Sequence, residues 1–144
     1  MTPTTPFRRA LLLAIGAGLL HGSWALYANA STGRGVRAAL AQASLSFTGT
    51  LTLTLLTEWL FRRAHEKGRT PEQGFAIAAA GTVGVMAAFT ISLHSIVGTP
   101  HVLLTSGPSL AFGTFFFASY AWGLRVAARK RSAREQAALP VVAR

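Results

Sequence analysis

Cysteine and aspartate are both absent from the 144-residue sequence, and its four acidic residues are all glutamates. The missing cysteines exclude disulfides, cysteine-ligated zinc and thiol catalysis. The missing aspartates remove most metal–phosphate chemistry, and no phosphate-binding loop, dinucleotide fingerprint, nucleophile elbow or zinc-protease motif occurs. The sequence therefore predicts no catalytic residues, no cofactor and no metal site, and an enzyme is not the favoured interpretation.

Charge is also scarce, at 12% of residues against roughly 25% in soluble domains. Hydrophobic residues make up 51% of the chain and gather in four long stretches without charge on a wet face. A bilayer core of roughly 30 Å needs about 20 residues of helix, and lipid offers the backbone no hydrogen-bond partners. The predicted spans are 10–28, 38–61, 75–98 and 108–124. We therefore expect an all-α integral membrane protein, a bundle of four transmembrane helices.

The basic residues give this bundle an orientation. Of the 14 lysines and arginines, 12 precede the first span, lie between the second and third, or follow the fourth. The opposite loops carry Arg34 and Arg37. Lysine and arginine concentrate in cytoplasmic loops, so both termini are expected on the cytoplasmic side of an inner membrane.

Residues 1–128 then form the membrane domain, and residues 129–144 form a basic cytoplasmic tail that attracts anionic lipid headgroups. The net charge of +10 does not point to nucleic acid. A nucleic-acid-binding protein spreads basic side chains over a folded face, whereas here they flank apolar segments. The lipid bilayer is the expected partner.

Two patterns leave alternatives open. Residues 8–30, with two arginines, an apolar run and a small-residue motif, also match a cleavable signal peptide, although the run is longer than usual. His21 lies near the outer end of the first span and His94 near the outer end of the third. This similarity fits a duplicated helical hairpin, or chance similarity between apolar helices. Cleavage would leave the orientation of the later spans unchanged.

Two histidines fall inside predicted spans. His21 and His94 should lie roughly 6–10 Å below the outer surface, where ionisable residues usually face a bundle interior or a cavity. Gln42 and Ser46 occupy the same depth on the second span, and His101 lies on the loop above. These five residues form the candidate substrate-binding site. Interhelical hydrogen bonds would explain the histidines equally well.

Small residues predict close helix contacts. Gly18 and Gly22 form a Gly-x-x-x-Gly pair, and Gly81 with Gly84 offers a second flat surface. We take these four glycines as helix-packing positions. Four short helices enclose little volume, so we also expect a homo-oligomer or a membrane-protein partner.

Two further segments carry polar expectations. Glu58 is the one acidic residue inside a predicted span, and we expect it to pair with Arg62 or Arg63 near the cytoplasmic surface. The uncharged connection 98–108 is expected either to fold back as a lid over the histidines or to begin the fourth helix.

The leading functional hypothesis is a transporter or permease-like protein with a polar, histidine-containing site near the outer leaflet. One alternative is an accessory or structural membrane subunit without its own substrate. The other is a small intramembrane enzyme that uses the histidines. Because no carboxylate accompanies the histidines and no close histidine pair occurs, a metal role is not expected.

Overall fold

A computed structural model of the protein describes residues 5–28, 35–96 and 102–138, and four helices contain nearly all of them. The helices are α1 (Pro6–Ala28), α2 (Gly35–Glu66), α3 (Pro71–Ile96) and α4 (Val102–Ala138). No strand occurs within these ranges, so the predicted all-α class is confirmed.

Three of the helices are long and apolar enough to cross a membrane, over Pro6–Tyr27, Gly35–Glu66 and Pro71–Ser92. The first three predicted spans fall on these helices, apart from the last two residues of the third, which lie outside the described ranges. Over its described residues, α4 is not among the helices that combine the length and the apolarity needed for a crossing. A fourth crossing therefore stays a prediction.

The end of α2 follows from one glycine. Gly68 has φ of +71°, a left-handed conformation that glycine adopts without steric penalty. Its amide donates to the His65 carbonyl at 2.9 Å, and the Arg69 amide donates to the Ala64 carbonyl at 3.1 Å. These two bonds form a Schellman motif, which satisfies carbonyl groups left open at the helix end.

The start of α3 follows two residues later. The Thr70 hydroxyl accepts a hydrogen bond from the Gln73 amide at 3.3 Å, and the Gln73 side chain accepts one from the Thr70 amide at 3.2 Å. This reciprocal pair is a capping box, and Pro71 between them suits the first helical position because its ring presets φ. The connection between α2 and α3 is therefore tight and locally specified.

Helix α4 is longer than a bilayer requires. Its 37 residues span about 55 Å at 1.5 Å per residue, against a hydrocarbon core of roughly 30 Å. The predicted basic tail begins at residue 129, and α4 continues through it without a break to Ala138. Helix α4 also begins at Val102, so residues 102–108 of the predicted lid are helical, and residues 98–101 lie outside the described ranges.

The chain divides into two compact units, Met1–Leu55 and Leu56–Arg144. In the first unit, α1 packs against the N-terminal part of α2. In the second, α3 packs along α4, and the last part of α2 packs against both.

Burial among the described residues is compatible with a membrane protein. The buried apolar residues in these ranges are mostly alanines, and the largest fully buried side chains there are the threonines Thr54, Thr57 and Thr82. Large apolar side chains lie outside instead: Leu19 is 67% exposed and Phe115 is 74% exposed. Water would favour the reverse arrangement, whereas lipid solvates leucine and phenylalanine and leaves small residues to pack helices closely.

Candidate functional site

The contact between α1 and α2 in the first unit is built on two glycines. A Cβ atom added at Gly18 would lie 3.2 Å from the Ala43 carbonyl oxygen. One added at Gly22 would lie 2.9 Å from the Ala43 Cβ and 3.2 Å from the Ala39 carbonyl oxygen. The helix backbones therefore approach as closely as small residues allow.

His21 lies beside this contact. Its side chain is half-buried, and its Nδ1 atom is buried without a hydrogen-bond partner among the described residues. A buried imidazole nitrogen normally has a partner, because leaving it unpaired costs about 1–3 kcal/mol. Within the described part of the chain, the Nδ1 position of His21 is thus open to a hydrogen-bond partner.

The other predicted site residues are only partly brought together. The Gln42 amide donates to the Ser46 hydroxyl at 3.5 Å, on an exposed part of α2. Neither side chain is hydrogen-bonded to His21 in the described part of the chain. The His94 side chain and all of His101 lie outside the described residues. The five-residue site is therefore still a prediction.

The second predicted glycine pair lies on α3. A Cβ atom at Gly81 would lie 2.7 Å from the Leu60 Cδ1 atom on α2, and nothing lies within 4 Å of one at Gly84. Among the described residues, no group of three or more histidine, cysteine or acidic side chains is placed to hold a metal ion.

The second unit contains a polar pair that crosses from α2 to α3. The hydroxyl groups of Thr57 and Thr82 are 2.9 Å apart, and both side chains are fully buried. Either hydroxyl can donate, so the bond satisfies two groups that lipid would leave unpaired. The many threonines of α2 indicated polar packing in the sequence, but they did not identify Thr82 as the partner of Thr57.

Glu58 has a partner that sequence reasoning missed. The Tyr120 hydroxyl on α4 donates to its Oε1 atom, and Glu58 is 6% exposed. The expected ion pair with Arg62 or Arg63 is wrong, since both arginines pair with Glu66, at 3.9 and 3.3 Å. The arginines pair with the exposed Glu66 on their C-terminal side instead of with Glu58 on their N-terminal side. The Glu58 carboxylate stays buried inside the unit.

A charged cluster joins the start of α3 to α4. Both Arg125 and Arg129 contact the same Oε1 atom of Glu72, from Nε at 3.3 Å and from Nη2 at 2.6 Å. The Arg125 guanidinium also lies over the Trp122 ring, with its Cζ atom 4.1 Å from the centroid, within the range of a cation–π contact. The sequence placed these arginines in the basic region but did not pair them with Glu72.

The described residues line an open surface groove in each unit. The first-unit groove is lined by residues of α1 and α2, among them Gly18 and Ala43. The second-unit groove runs between α3 and α4 and is lined by Phe75, Phe115, Ala118, Ser119 and Trp122. Neither groove is lined by a residue of the predicted substrate-binding site.

The sequence matches no protein-family model, no curated protein and no solved structure.

Proposed function

We propose that the protein is a small permease-like transporter of a bacterial-type inner membrane, crossing the bilayer four times with both termini in the cytoplasm. The orientation is supported by the positions of the basic residues, 12 of which flank one side of the proposed spans. The three apolar helices α1, α2 and α3 supply three of the crossings. The fourth crossing would use residues 108–124 of α4.

The observation that carries the transport proposal is the buried carboxylate of Glu58. An ionisable side chain inside a membrane helix is costly to insert, and such residues usually line a path for ions or substrates. Tyr120 orients the carboxylate by donating a hydrogen bond to it. His21 supports the same proposal in the first unit, because its buried Nδ1 atom has no partner among the described residues and could accept or donate a hydrogen bond to a water molecule or a solute.

A flux measurement tests the role of Glu58, with the proton as the probe. Liposomes that contain the purified protein and a trapped pH-sensitive dye receive an imposed pH gradient, with valinomycin to balance charge. We expect the gradient to collapse faster than in empty liposomes, and the Glu58→Gln variant to lose that difference. Glu66→Gln is the matched control, since Glu66 lies on the same helix with a side chain that is 52% exposed.

A second measurement needs no substrate. The chain has no cysteine, so single cysteines can be placed at position 21 and at position 20 and treated with a charged, membrane-impermeant thiol reagent. Leu20 is 63% exposed and would face lipid at the same depth. Transport predicts that His21→Cys reacts and Leu20→Cys does not.

The competing function is an accessory membrane subunit whose polar groups only hold helices together. The Thr57–Thr82 and Tyr120–Glu58 hydrogen bonds favour it, because each joins two helices of the second unit. In that case neither cysteine would react, and the liposomes would hold their pH gradient as well as empty ones.

A further inference from the structure

We propose that the groove between α3 and α4 binds a single anionic phospholipid, with an acyl chain against Phe75, Phe115 and Trp122 and the phosphate at Arg125 and Arg129. This inference goes beyond transport and stands without it. It requires only that this end of α4 lies at a membrane surface.

The groove residues form one stripe along α4. Phe115, Ala118, Ser119 and Trp122 line the groove at helical spacing, so they lie on one helix face. Arg125 follows Trp122 by three residues and continues that face beyond the groove. From Phe115 to Arg125 the helix rises about 15 Å, which is half of a hydrocarbon core of roughly 30 Å. One leaflet of a bilayer has that depth, and so does one acyl chain.

The apolar part of the stripe is open to the surrounding lipid. Phe115 is 74% exposed and Trp122 is 51% exposed. The Phe75 ring contacts the Trp122 ring edge-on, with centroids 5.7 Å apart. The two rings therefore form a firm wall at the interfacial end of the groove, and tryptophan is a residue that favours this depth in a bilayer.

The charged end of the groove favours an anionic headgroup. Glu72 lies one turn before Phe75 on α3, and Arg125 lies one turn after Trp122 on α4, so the cluster sits at the end of the apolar wall. Both arginines contact a single oxygen of Glu72. Each guanidinium has five N–H donors, and Glu72 is contacted by one nitrogen of each. The Arg129 side chain is 59% exposed and the Arg125 side chain is 16% exposed, so Arg129 offers most of the accessible donors, and one net positive charge remains. A phosphate group complements that charge.

The Glu72 carboxylate occupies part of the position that the phosphate would take. A purely structural ion pair and a lipid site therefore predict different effects of Glu72→Gln on the affinity for an anionic lipid. Removing the carboxylate from a structural pair loosens α3 from α4 and does not raise that affinity. Removing it from a lipid site frees both arginines and takes away a negative charge, so affinity for an anionic lipid rises.

The experiment uses Trp122 as the reporter. In a background with Trp24→Phe and Trp59→Phe, the protein is placed in phosphatidylcholine bilayers containing a minor fraction of chain-brominated lipid, which quenches tryptophan at short range. We expect brominated phosphatidylglycerol to quench Trp122 more strongly than brominated phosphatidylcholine. Glu72→Gln should increase this preference.

The arginine variants give the size of the effect. We expect the preference for phosphatidylglycerol to fall roughly fivefold for each arginine lost in Arg125→Gln and Arg129→Gln. The control is Arg131→Gln with Arg134→Gln, which removes equal charge from exposed positions further along the same helix and should change the preference less than about twofold. Ala118→Phe fills the groove without changing charge and should lower quenching by both lipids.

Three results would overturn the proposal. The first is equal quenching by the two brominated lipids in the parent protein. The second is an equal loss in the Arg131/Arg134 control, which would mean that general surface charge attracts the lipid. The third is relief of quenching by inorganic phosphate, which would mean that the arginines take a free anion and not a lipid. Circular dichroism of each variant verifies that α3 and α4 stay folded.

Discussion

Replacing Gly22 with alanine should loosen the pairing of α1 with α2. The new methyl group would stand 2.9 Å from the Ala43 Cβ and 3.2 Å from the Ala39 carbonyl oxygen. Two Cβ atoms do not approach so closely, and a carbonyl oxygen in a helix backbone cannot rotate away. The helices must therefore separate by several tenths of an ångström, and the contacts around the new methyl group weaken.

The magnitude can be isolated with a second alanine on the same helix. Gly16 has nothing within 4 Å of its added Cβ, so Gly16→Ala gains only the helix preference of alanine, about 0.5–1 kcal/mol. Gly22→Ala gains the same preference and loses roughly 1–3 kcal/mol to overpacking. The difference between the two variants is the steric effect alone.

The assay is reversible unfolding in mixed micelles, driven by SDS and followed by tryptophan fluorescence. Ala43→Gly supplies the rescue, because it removes the atom that the new methyl group meets. In the Gly22→Ala background, Ala43→Gly should recover more than about 0.5 kcal/mol beyond the sum of the single changes. Equal stability of Gly22→Ala and Gly16→Ala, or a failure of that rescue, would refute the close approach of α1 and α2.

Two further predictions concern the polar contacts of the second unit. Thr57→Val and Thr82→Val should each lower the free energy of unfolding by about 0.6–1.7 kcal/mol. In a double-mutant cycle measured in SDS, the double variant should lower it by less than the sum of the two single changes. Strict additivity would mean that the two hydroxyl groups do not form a hydrogen bond. Tyr120→Phe should lower the free energy of unfolding by about 1–3 kcal/mol, because Glu58 loses a hydrogen-bond donor. The control Tyr27→Phe, at a residue that is 76% exposed, should change it by less than about 0.5 kcal/mol. An equal effect of both substitutions would contradict the buried Glu58–Tyr120 hydrogen bond.

The helices of this protein are largely predictable from its sequence, because a chain that crosses a bilayer must satisfy its backbone hydrogen bonds internally. A long stretch without charge must be helical, and α1, α2 and α3 follow that rule. The turn between α2 and α3 is also written locally, in Gly68 and in the Thr70 capping box. The extension of α4 past Arg125 could not be predicted from apolar residues. Alanine, arginine and glutamate favour a helix there, but no hydrophobic face marks it in the sequence.

The polar contacts were harder to predict because they join distant parts of the chain. Glu58 and Tyr120 are 62 residues apart, whereas the local i,i+4 rule points from Glu58 to Arg62. The same rule applied one turn later, to Glu66, describes what the arginines do. Glu72 likewise finds its partners on α4, 53 residues away at Arg125. The sequence alone does not select among such pairings, because each carboxylate could pair with any of several lysines or arginines, depending on the fold.

The helix-packing glycines could be predicted from the sequence more completely than the surroundings of the histidines. Gly18 and Gly22 are informative because only a residue without a side chain permits the observed approach to α2. His21 was singled out by its rarity inside an apolar stretch, and its Nδ1 atom is buried without a partner among the described residues. Which group that nitrogen serves depends on neighbours that spacing along one helix cannot identify.

The most direct test of the account is a map of which side of the membrane each end and loop occupies. Single cysteines at Thr5, Lys67 and Gln136 should all react with an impermeant maleimide from the cytoplasmic side, and one at Arg34 from the opposite side. Four crossings place Thr5 and Gln136 on the same side. Reaction of these two positions from opposite sides would mean an odd number of crossings and would contradict the fourth span, and reaction of all four from both sides would contradict a membrane-spanning protein altogether.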